Sequence, residues 1–259
     1  MLNEPMSRRA AMCRAGLGAL ALAGVACRPR AVAGSSVRGS DGRLTARPHP
    51  PFGSADPGLR ALRMGGQRDG LLFVPASYRA AGPVPLVLLL HGAGQRADAF
   101  VERVRPLAEE LGLVLLAPDS RARTWESSYR VFGPDTTFID LALAGVFETI
   151  AVDASRVSIA GFSDGASYAL SLGLVNGDLF RRIAAFSPGY VGDGARHGRP
   201  RILITHGTAD TVLAIDRTSR RIVPALRDAG YHVDYREFDG GHALPPALLR
   251  AGATWMSGA

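Results

Sequence analysis

Five short runs of this chain, residues 86–90, 113–117, 157–160, 183–186 and 202–205, are apolar almost throughout. A strand with one face in water alternates apolar and polar residues. Runs without that alternation need cover on both faces, as the strands of a parallel sheet have. Helix-like stretches fall between them, within 97–111 and over 138–150, 166–174 and 216–229. A further strand is expected at 233–238 and a closing helix at 245–256, with proline tolerated in its first turn. Segments 59–64 and 70–74 read as an opening hairpin. Strands alternating with helices imply an α/β fold, a mostly parallel central sheet with helices on both faces. No internal repeat is visible.

The sharpest local signal sits at one strand-to-helix junction, Gly161-Phe162-Ser163-Asp164-Gly165. A serine hydroxyl is a poor nucleophile until a base takes its proton and the chain presents it to a carbonyl. A G-x-S-x-G turn does the presenting: strand gives way abruptly to helix, and the serine is held at the apex in a strained conformation. Glycine is needed two residues to either side because a larger side chain would collide with neighbouring backbone. Five residues match by chance often enough that context must carry the reading.

In sheets of this kind, functional groups gather on loops beyond the carboxyl ends of the strands. Asp210 lies at such an end, in Thr205-His206-Gly207-Thr208-Ala209-Asp210, and His242 at another, in Phe238-Asp239-Gly240-Gly241-His242. The chain order Ser…Asp…His is that of α/β-hydrolases. His242 is then expected to take the Ser163 proton during attack and return it to the leaving group. Asp210 would fix the imidazole tautomer and stabilise the imidazolium. The rate should rise with pH over roughly 6–7.5 as imidazole loses its proton. The run 86–90 ends in His91-Gly92-Ala93-Gly94-Gln95. Here the backbone N–H of Ala93, with that of Asp164, is expected to form an oxyanion hole. Gly92 and Gly94 let the main chain approach a substrate, and His91 reads as a turn-stabilising residue, not a second base.

The same segment fits a second pattern. Gly92-x-Gly94-x-x-Ala97 after an apolar strand and before a helix is a dinucleotide fingerprint, and Asp119 ends the next strand where a ribose-binding acid falls. An NAD(P)-dependent oxidoreductase is therefore a rival reading. It leaves Ser163, Asp210 and His242 unexplained, and it wants the fingerprint near the first strand, whereas two strands precede it. A non-catalytic binding module on the same scaffold is the other alternative; it predicts a lost triad position, and none is lost.

These pieces together resemble the bacterial phospholipase/carboxylesterase group of α/β-hydrolases, close to polyhydroxybutyrate-depolymerase-like and feruloyl-esterase-like secreted esterases. The matching stretches are LLLHGAGQ at 88–95, LLAPDSRARTW at 115–125, AGFSDGASYAL at 160–170, HGTAD at 206–210 and FDGGH at 238–242. The resemblance implies the α/β-hydrolase fold and a serine esterase working through an acyl-enzyme with no cofactor. In one departure, Ala214 stands where relatives often carry a proline that shapes the acid loop.

The start of the chain reads as an export signal, residues 1–33. Ser7-Arg8-Arg9 precedes the uncharged stretch 15–27, then come Arg28-Pro29-Arg30 and Ala31-Val32-Ala33. That stretch is too short to span a bilayer and suits a signal-peptide core. The paired arginines resemble a twin-arginine signal, although Ala11 stands where a Phe is common. Cleavage after Ala33 competes with lipidation at Cys27, where Gly24 replaces the usual Leu. Either route puts the protein in the periplasm or outside the cell. Both cysteines, Cys13 and Cys27, belong to this region, so the mature chain must hold together without a disulfide. All 30 basic residues are arginine, and because residues 1–33 hold five Arg against one Glu, the net charge of +7 falls to +3 without them. The remaining arginines are dispersed among acids, with no aromatic-interleaved basic stripe for nucleic acid. Residues 34–58, rich in Gly, Pro and Ser, read as a poorly ordered arm, leaving 59–259 as a single catalytic domain.

No H-E-x-x-H motif is present, and His49, His197 and His232 are scattered, so no metal is expected. Trp125 and Phe132 on 119–137, Tyr190 on 187–200, Val212 and Leu244, with Phe100, are the candidate pocket walls. No insertion is long enough for a separate lid domain. An open site of this kind suits short-to-medium acyl esters or accessible ends of larger molecules, while acyl group, alcohol and oligomeric state are not encoded legibly.

Overall fold

The computed structural model describes residues 41–79, 82–126 and 132–258. The export signal with both cysteines, and residues 34–40 of the expected arm, lie outside the described residues. Eight strands form one sheet: β1 (Gly58–Ala61), β2 (Gly70–Val74), β3 (Val84–Leu90), β4 (Val114–Pro118), β5 (Val152–Phe162), β6 (Arg182–Phe186), β7 (Arg201–Gly207) and β8 (Val233–Phe238). Their order is β1-β2-β4-β3-β5-β6-β7-β8. The β1/β2 and β2/β4 pairs are antiparallel and the other pairs are parallel, as the continuous apolar runs require. Four helices connect strands, α1 (Ala97–Leu111), α2 (Pro134–Thr149), α3 (Asp164–Val175) and α4 (Ser219–Asp228), and α5 (Pro246–Ser257) follows β8.

The apolar runs bury both faces in two separate cores. Leu86, Leu88 and Leu90 of β3 point to the core shared with α2, α3 and α4, and Val87 and Leu89 to the core shared with α1 and α5. The same alternation holds for Val114 and Leu116 against Leu115 and Ala117, and for Ile202 and Ile204 against Leu203. Each fully buried aliphatic side chain contributes about 1.5–3 kcal/mol, and the strand side chains on each face pack against buried helix residues such as Phe147 and Tyr168 on one side and Phe100 and Leu249 on the other. Among the described residues, no helix is long and apolar enough to cross a membrane.

Two helices begin on carboxylates borrowed from distant loops. Asp119 Oδ1 accepts the Ala97 N–H at 2.7 Å at the head of α1. Glu126 accepts the N–H groups of Gly133, Asp135 and Thr136 at 2.6–3.0 Å at the head of α2. A carboxylate here satisfies orphan donors and meets the positive end of the helix dipole.

The described part of the expected arm is held rather than loose. Leu44 is buried, and its N–H donates to Asn176 Oδ1 at 2.9 Å. Asn176 Nδ2 donates to Gly42 O at 2.8 Å, Arg43 forks onto Asp178 at 2.7 and 2.9 Å, and Asp140 Oδ1 takes the N–H groups of Thr45 and Ala46. Gly- and Pro-rich composition signals that a segment cannot bury its own apolar surface. It is silent about polar side chains elsewhere that hold the backbone of the segment.

Candidate active site

The sheet order decides where chemistry can collect. After β4 the chain crosses back to the other side of β3, so the loops leaving β3 and β5 part in opposite directions and open a crevice at their carboxyl ends. Leu90 pairs with Gly161, which brings His91 and Gly92 beside Phe162 and Ser163.

Ser163 occupies the apex between β5 and α3 with φ 57° and ψ −117°. Its N–H donates to Phe186 O at 2.9 Å on the neighbouring strand, and its carbonyl accepts from Ala166 and Ser167 in the first turn of α3. The flanking glycines are a steric necessity. A Cβ on Gly161 would lie 2.1 Å from Gly165 O, and one on Gly165 would lie 2.3 Å from Leu90 O.

Asp210 follows β7 and His242 follows β8. The two loops pack backbone on backbone: Thr208 N–H donates to Phe238 O and Ala209 N–H to Gly240 O, both at 2.9 Å. A Cβ on Gly207 would sit 2.3 Å from Gly241 O, so the loops approach this closely only with glycine there. The result is a continuous chain of contacts. His242 Nε2 lies 2.8 Å from Ser163 Oγ, and His242 Nδ1 lies 2.7 Å from Asp210 Oδ2. The imidazole is tilted over the Phe162 ring, centroids 5.0 Å apart, which limits its swing.

The Asp210 carboxylate is fully buried, and burial by itself raises the pKa of an acid. Hydrogen bonds from the Leu213 and Val212 N–H groups and from His242 outweigh that and hold it below the usual value. Asp210 is thus an ionised acceptor for Nδ1–H, which leaves Nε2 free to take the Ser163 proton.

Ala93 lies exposed on the loop after β3, and Asp164 supplies the first amide of α3. That loop is braced from the segment after β4: Gly94, at φ 74°, donates its N–H to Arg123 O at 2.6 Å. Thr124 Oγ1 and Trp125 N–H both donate to Asp164 Oδ2, at 2.5 and 2.9 Å. One segment, 123–125, therefore ties the Ala93 loop to the residue after Ser163. Sequence reading did not find this role for Thr124 and Trp125.

The expected pocket walls fare unevenly. Trp125 is wholly buried, stacked on Tyr168 at 5.1 Å, with Nε1–H donating to His91 O at 2.8 Å; it is a strut and not a wall. Phe132 packs in the α2/α3 core near Tyr168 and Gly42, and Leu244 and Phe100 pack in the α1/α5 core. An apolar loop residue is drawn into a core whenever one is in reach, and the sequence does not announce that reach. Val212 is 66 % exposed beside Asp210, and Tyr190 is half-buried after β6.

His91 is buried with Nδ1 2.8 Å from Gly92 O, and its Nε2 accepts the Ser120 N–H at 3.0 Å. Both nitrogens are occupied and burial lowers its pKa, so it is a neutral brace for the loop. His49, His197 and His232 are exposed. Asp119, the acid of the dinucleotide pattern, occupies the N-terminus of α1, the place where a pyrophosphate would have to sit. The glycine pattern at 92–97 is therefore spent on the turn and not on a nucleotide. A second histidine, His206, lies 3.2 Å from Asp210 Oδ2. The reading of the sequence passed over it, and its spacing of four residues from Asp210 was the available signal.

No family model and no curated protein matches the chain. Solved structures do. Esterase PE8 superposes with a TM-score of 0.60 at 22 % identity, over 74 % of this chain and 98 % of that one. The fluorophosphonate-binding serine hydrolase FphF of Staphylococcus aureus gives 0.62 at 16 %, over 78 % and 99 %. A CE1 ferulic acid esterase of Anaeromyces mucronatus, AmCE1/Fae1A, gives 0.61 at 17 %, over 82 % and 97 %. At these identities the likeness is one of architecture, and that architecture is the α/β-hydrolase fold.

Proposed function

Taking the α/β-hydrolase fold as premise, we propose that this protein is a serine esterase that cleaves carboxylic esters through an acyl-enzyme. The observation that carries the reading is the unbroken contact chain Ser163 Oγ–His242 Nε2 at 2.8 Å and His242 Nδ1–Asp210 Oδ2 at 2.7 Å, set on a strained turn. Names of the similar structures, an esterase, a serine hydrolase and a ferulic acid esterase, support the same reaction class.

His242 Nε2 takes the Ser163 proton as Oγ bonds to the substrate carbonyl carbon. The carbonyl oxygen gains a negative charge that the Ala93 and Asp164 amides receive, stabilising the transition state more than the bound ester. The tetrahedral adduct collapses, the C–O bond to the alcohol breaks, and His242 gives its proton to the departing oxygen. Water then repeats the sequence on the acyl-enzyme, His242 again acting as base, and releases the acid with Ser163 restored. Asp210 stays ionised throughout and stabilises the imidazolium. With no separate lid domain among the described residues, short-to-medium acyl esters or accessible ends of polymers are the substrates this reading favours.

Fluorophosphonate labelling tests this without knowledge of the natural substrate. A single adduct should form on Ser163, and Ser163→Ala should lose both labelling and roughly 10⁴-fold or more of p-nitrophenyl butyrate hydrolysis while its circular dichroism is unchanged. Full activity in folded Ser163→Ala would end the proposal.

Export by the twin-arginine route is part of the same proposal and rests on Ser7-Arg8-Arg9 and the apolar stretch that follows. Fractionation of the native host should yield a periplasmic or secreted species starting near Gly34, or a membrane-bound one starting at Cys27. An uncleaved cytoplasmic protein, indifferent to Arg8→Lys with Arg9→Lys, would defeat it.

A further inference from the structure

His206 is the penultimate residue of β7, with its side chain wholly buried behind the acid. Its Nδ1 lies 2.7 Å from Ser219 Oγ at the head of α4. Its Nε2 lies 2.8 Å from Leu213 O and 3.2 Å from Asp210 Oδ2. A carbonyl can only accept, so the hydrogen is on Nε2 and goes to Leu213 O, with the carboxylate beside it. In a neutral ring Nδ1 is then an acceptor, and the Ser219 hydroxyl must donate to it.

Asp210 is held from two sides. Oδ1 accepts the Val212 and Leu213 N–H groups, and Oδ2 holds His242 Nδ1 with His206 Nε2 3.2 Å away. The bond from His206 to Leu213 O fixes the residue whose own N–H grips Oδ1. We infer that His206 is a positioning residue of the triad: its Nε2–H holds Leu213 against the Asp210 carboxylate and sets the positive edge of the ring beside the oxygen that holds His242. The inference rests on the esterase reading of the same site.

The groups facing His206 favour a ring that stays neutral. Burial lowers its proton affinity, against the opposing pull of Leu213 O and Asp210, and His242 beyond β8 lowers it further. Glu237, its register partner on β8, is neutralised by a fork from Arg220 of α4 at 2.6 and 2.9 Å. His206 is thus a fixed N–H donor across the working range and not a proton carrier. Removing that donor releases Leu213 and takes the positive edge of the ring from Oδ2. Asp210 then holds the imidazolium more strongly, so a higher pH is needed to free the base, and the carboxylate, less firmly held, positions it less well.

The test compares wild type, His206→Leu and His206→Gln in pH profiles of kcat/KM on p-nitrophenyl butyrate, normalised to active sites titrated with a fluorophosphonate. His206→Leu should shift the acidic limb upward by about half a pH unit or more and lower kcat on the order of tenfold, with KM little changed. His206→Gln, whose amide N–H replaces Nε2–H, should return the limb to the wild-type position. A residue that only fills space would change the titrated fraction and leave the limb where it was, and that result overturns the inference. Should His206→Leu fail to fold, imidazole ¹⁵N NMR of the wild type decides: His206 should keep a protonated Nε2 and a bare Nδ1 from pH 5 to 9, about the range the packing permits. The opposite tautomer or a charged ring overturns it. Wild-type protein without Ser163-dependent hydrolysis would instead remove the esterase reading, and the NMR result would still stand by itself.

Discussion

Ala214 shows how one residue can be read against its backbone. It precedes the 3₁₀ turn Ile215–Arg217 with φ −49° and ψ 121°, close to the φ that a pyrrolidine ring imposes. The departure noted in the sequence, alanine where relatives often carry proline, therefore leaves the loop in the proline-compatible shape. Ala214→Pro should stabilise the protein by about 0.4–1 kcal/mol by restricting the unfolded chain, with kcat unaltered. Urea melts and steady-state kinetics check both halves; a loss of stability would mean that the Ala214 N–H is needed. At this scale the contact of Ser163, His242 and Asp210 was legible because each follows a strand, and strand ends are marked by apolar runs giving way to Gly-rich turns. Trp125, Phe132 and Leu244 were not, since a wall and a strut have the same composition and differ only in what lies behind them. His206 was hidden for a related reason: a histidine inside an apolar strand reveals its partner only when the acid loop folds back over it.

The head of α2 holds two buried carboxyl groups, and their environments differ. Glu126 accepts three backbone N–H groups and the hydroxyls of Thr136 and Tyr168. Among the described residues, Asp135 accepts only the Arg121 and Glu126 N–H groups. Burial, aided by the nearby Glu126, pushes the Asp135 pKa up from 3.8 to about 6. The sign follows from proton counting. Between about pH 4 and 6 the folded protein holds a proton on Asp135 that the unfolded chain has lost, so this group's contribution falls as pH rises and is level above 6. A shift of this size corresponds to at most about 3 kcal/mol. The stability of wild type relative to Asp135→Asn, measured by urea melts from pH 4.5 to 7.5, should therefore decline with pH. A difference that stays constant would show that Asp135 is ionised throughout. The helix was expected at 138–150 and begins at Pro134. Its first turn carries no capping side chain of its own, and the cap comes from Glu126, eight residues before Pro134. Local patterns record the apolar face of a helix and miss a cap supplied by another segment.

Across the whole molecule, the inner strands and their parallel direction followed from the apolar runs, because a parallel sheet imposes its cover on every strand, whereas their order in the sheet did not. The segment 41–49 did not, because what holds it is over 90 residues away in sequence. Asn176, at the end of α3, is the centre of that attachment. Its Oδ1 accepts the Leu44 N–H, and its Nδ2 donates to Gly42 O and to Leu172 O at 2.8 and 2.9 Å. The side chain is wholly buried, so none of these groups has water to turn to. Leaving such donors and acceptors unmade costs more than the bonds are worth net, and Asn176→Ala should lose about 2–4 kcal/mol. Because Ser163, Asp210 and His242, the proposed triad, hang from β5, β7 and β8 and not from this segment, the loss should fall on stability and leave kcat per titrated active site near wild type. Two local readouts separate this from general loosening. The Leu44 amide should exchange with solvent much faster than the amides of β5, and trypsin should cut after Arg43 well before it cuts within the sheet. Unchanged protection of Leu44 in Asn176→Ala would place the anchor elsewhere, with Asp140 and Asp178 the remaining attachments to test.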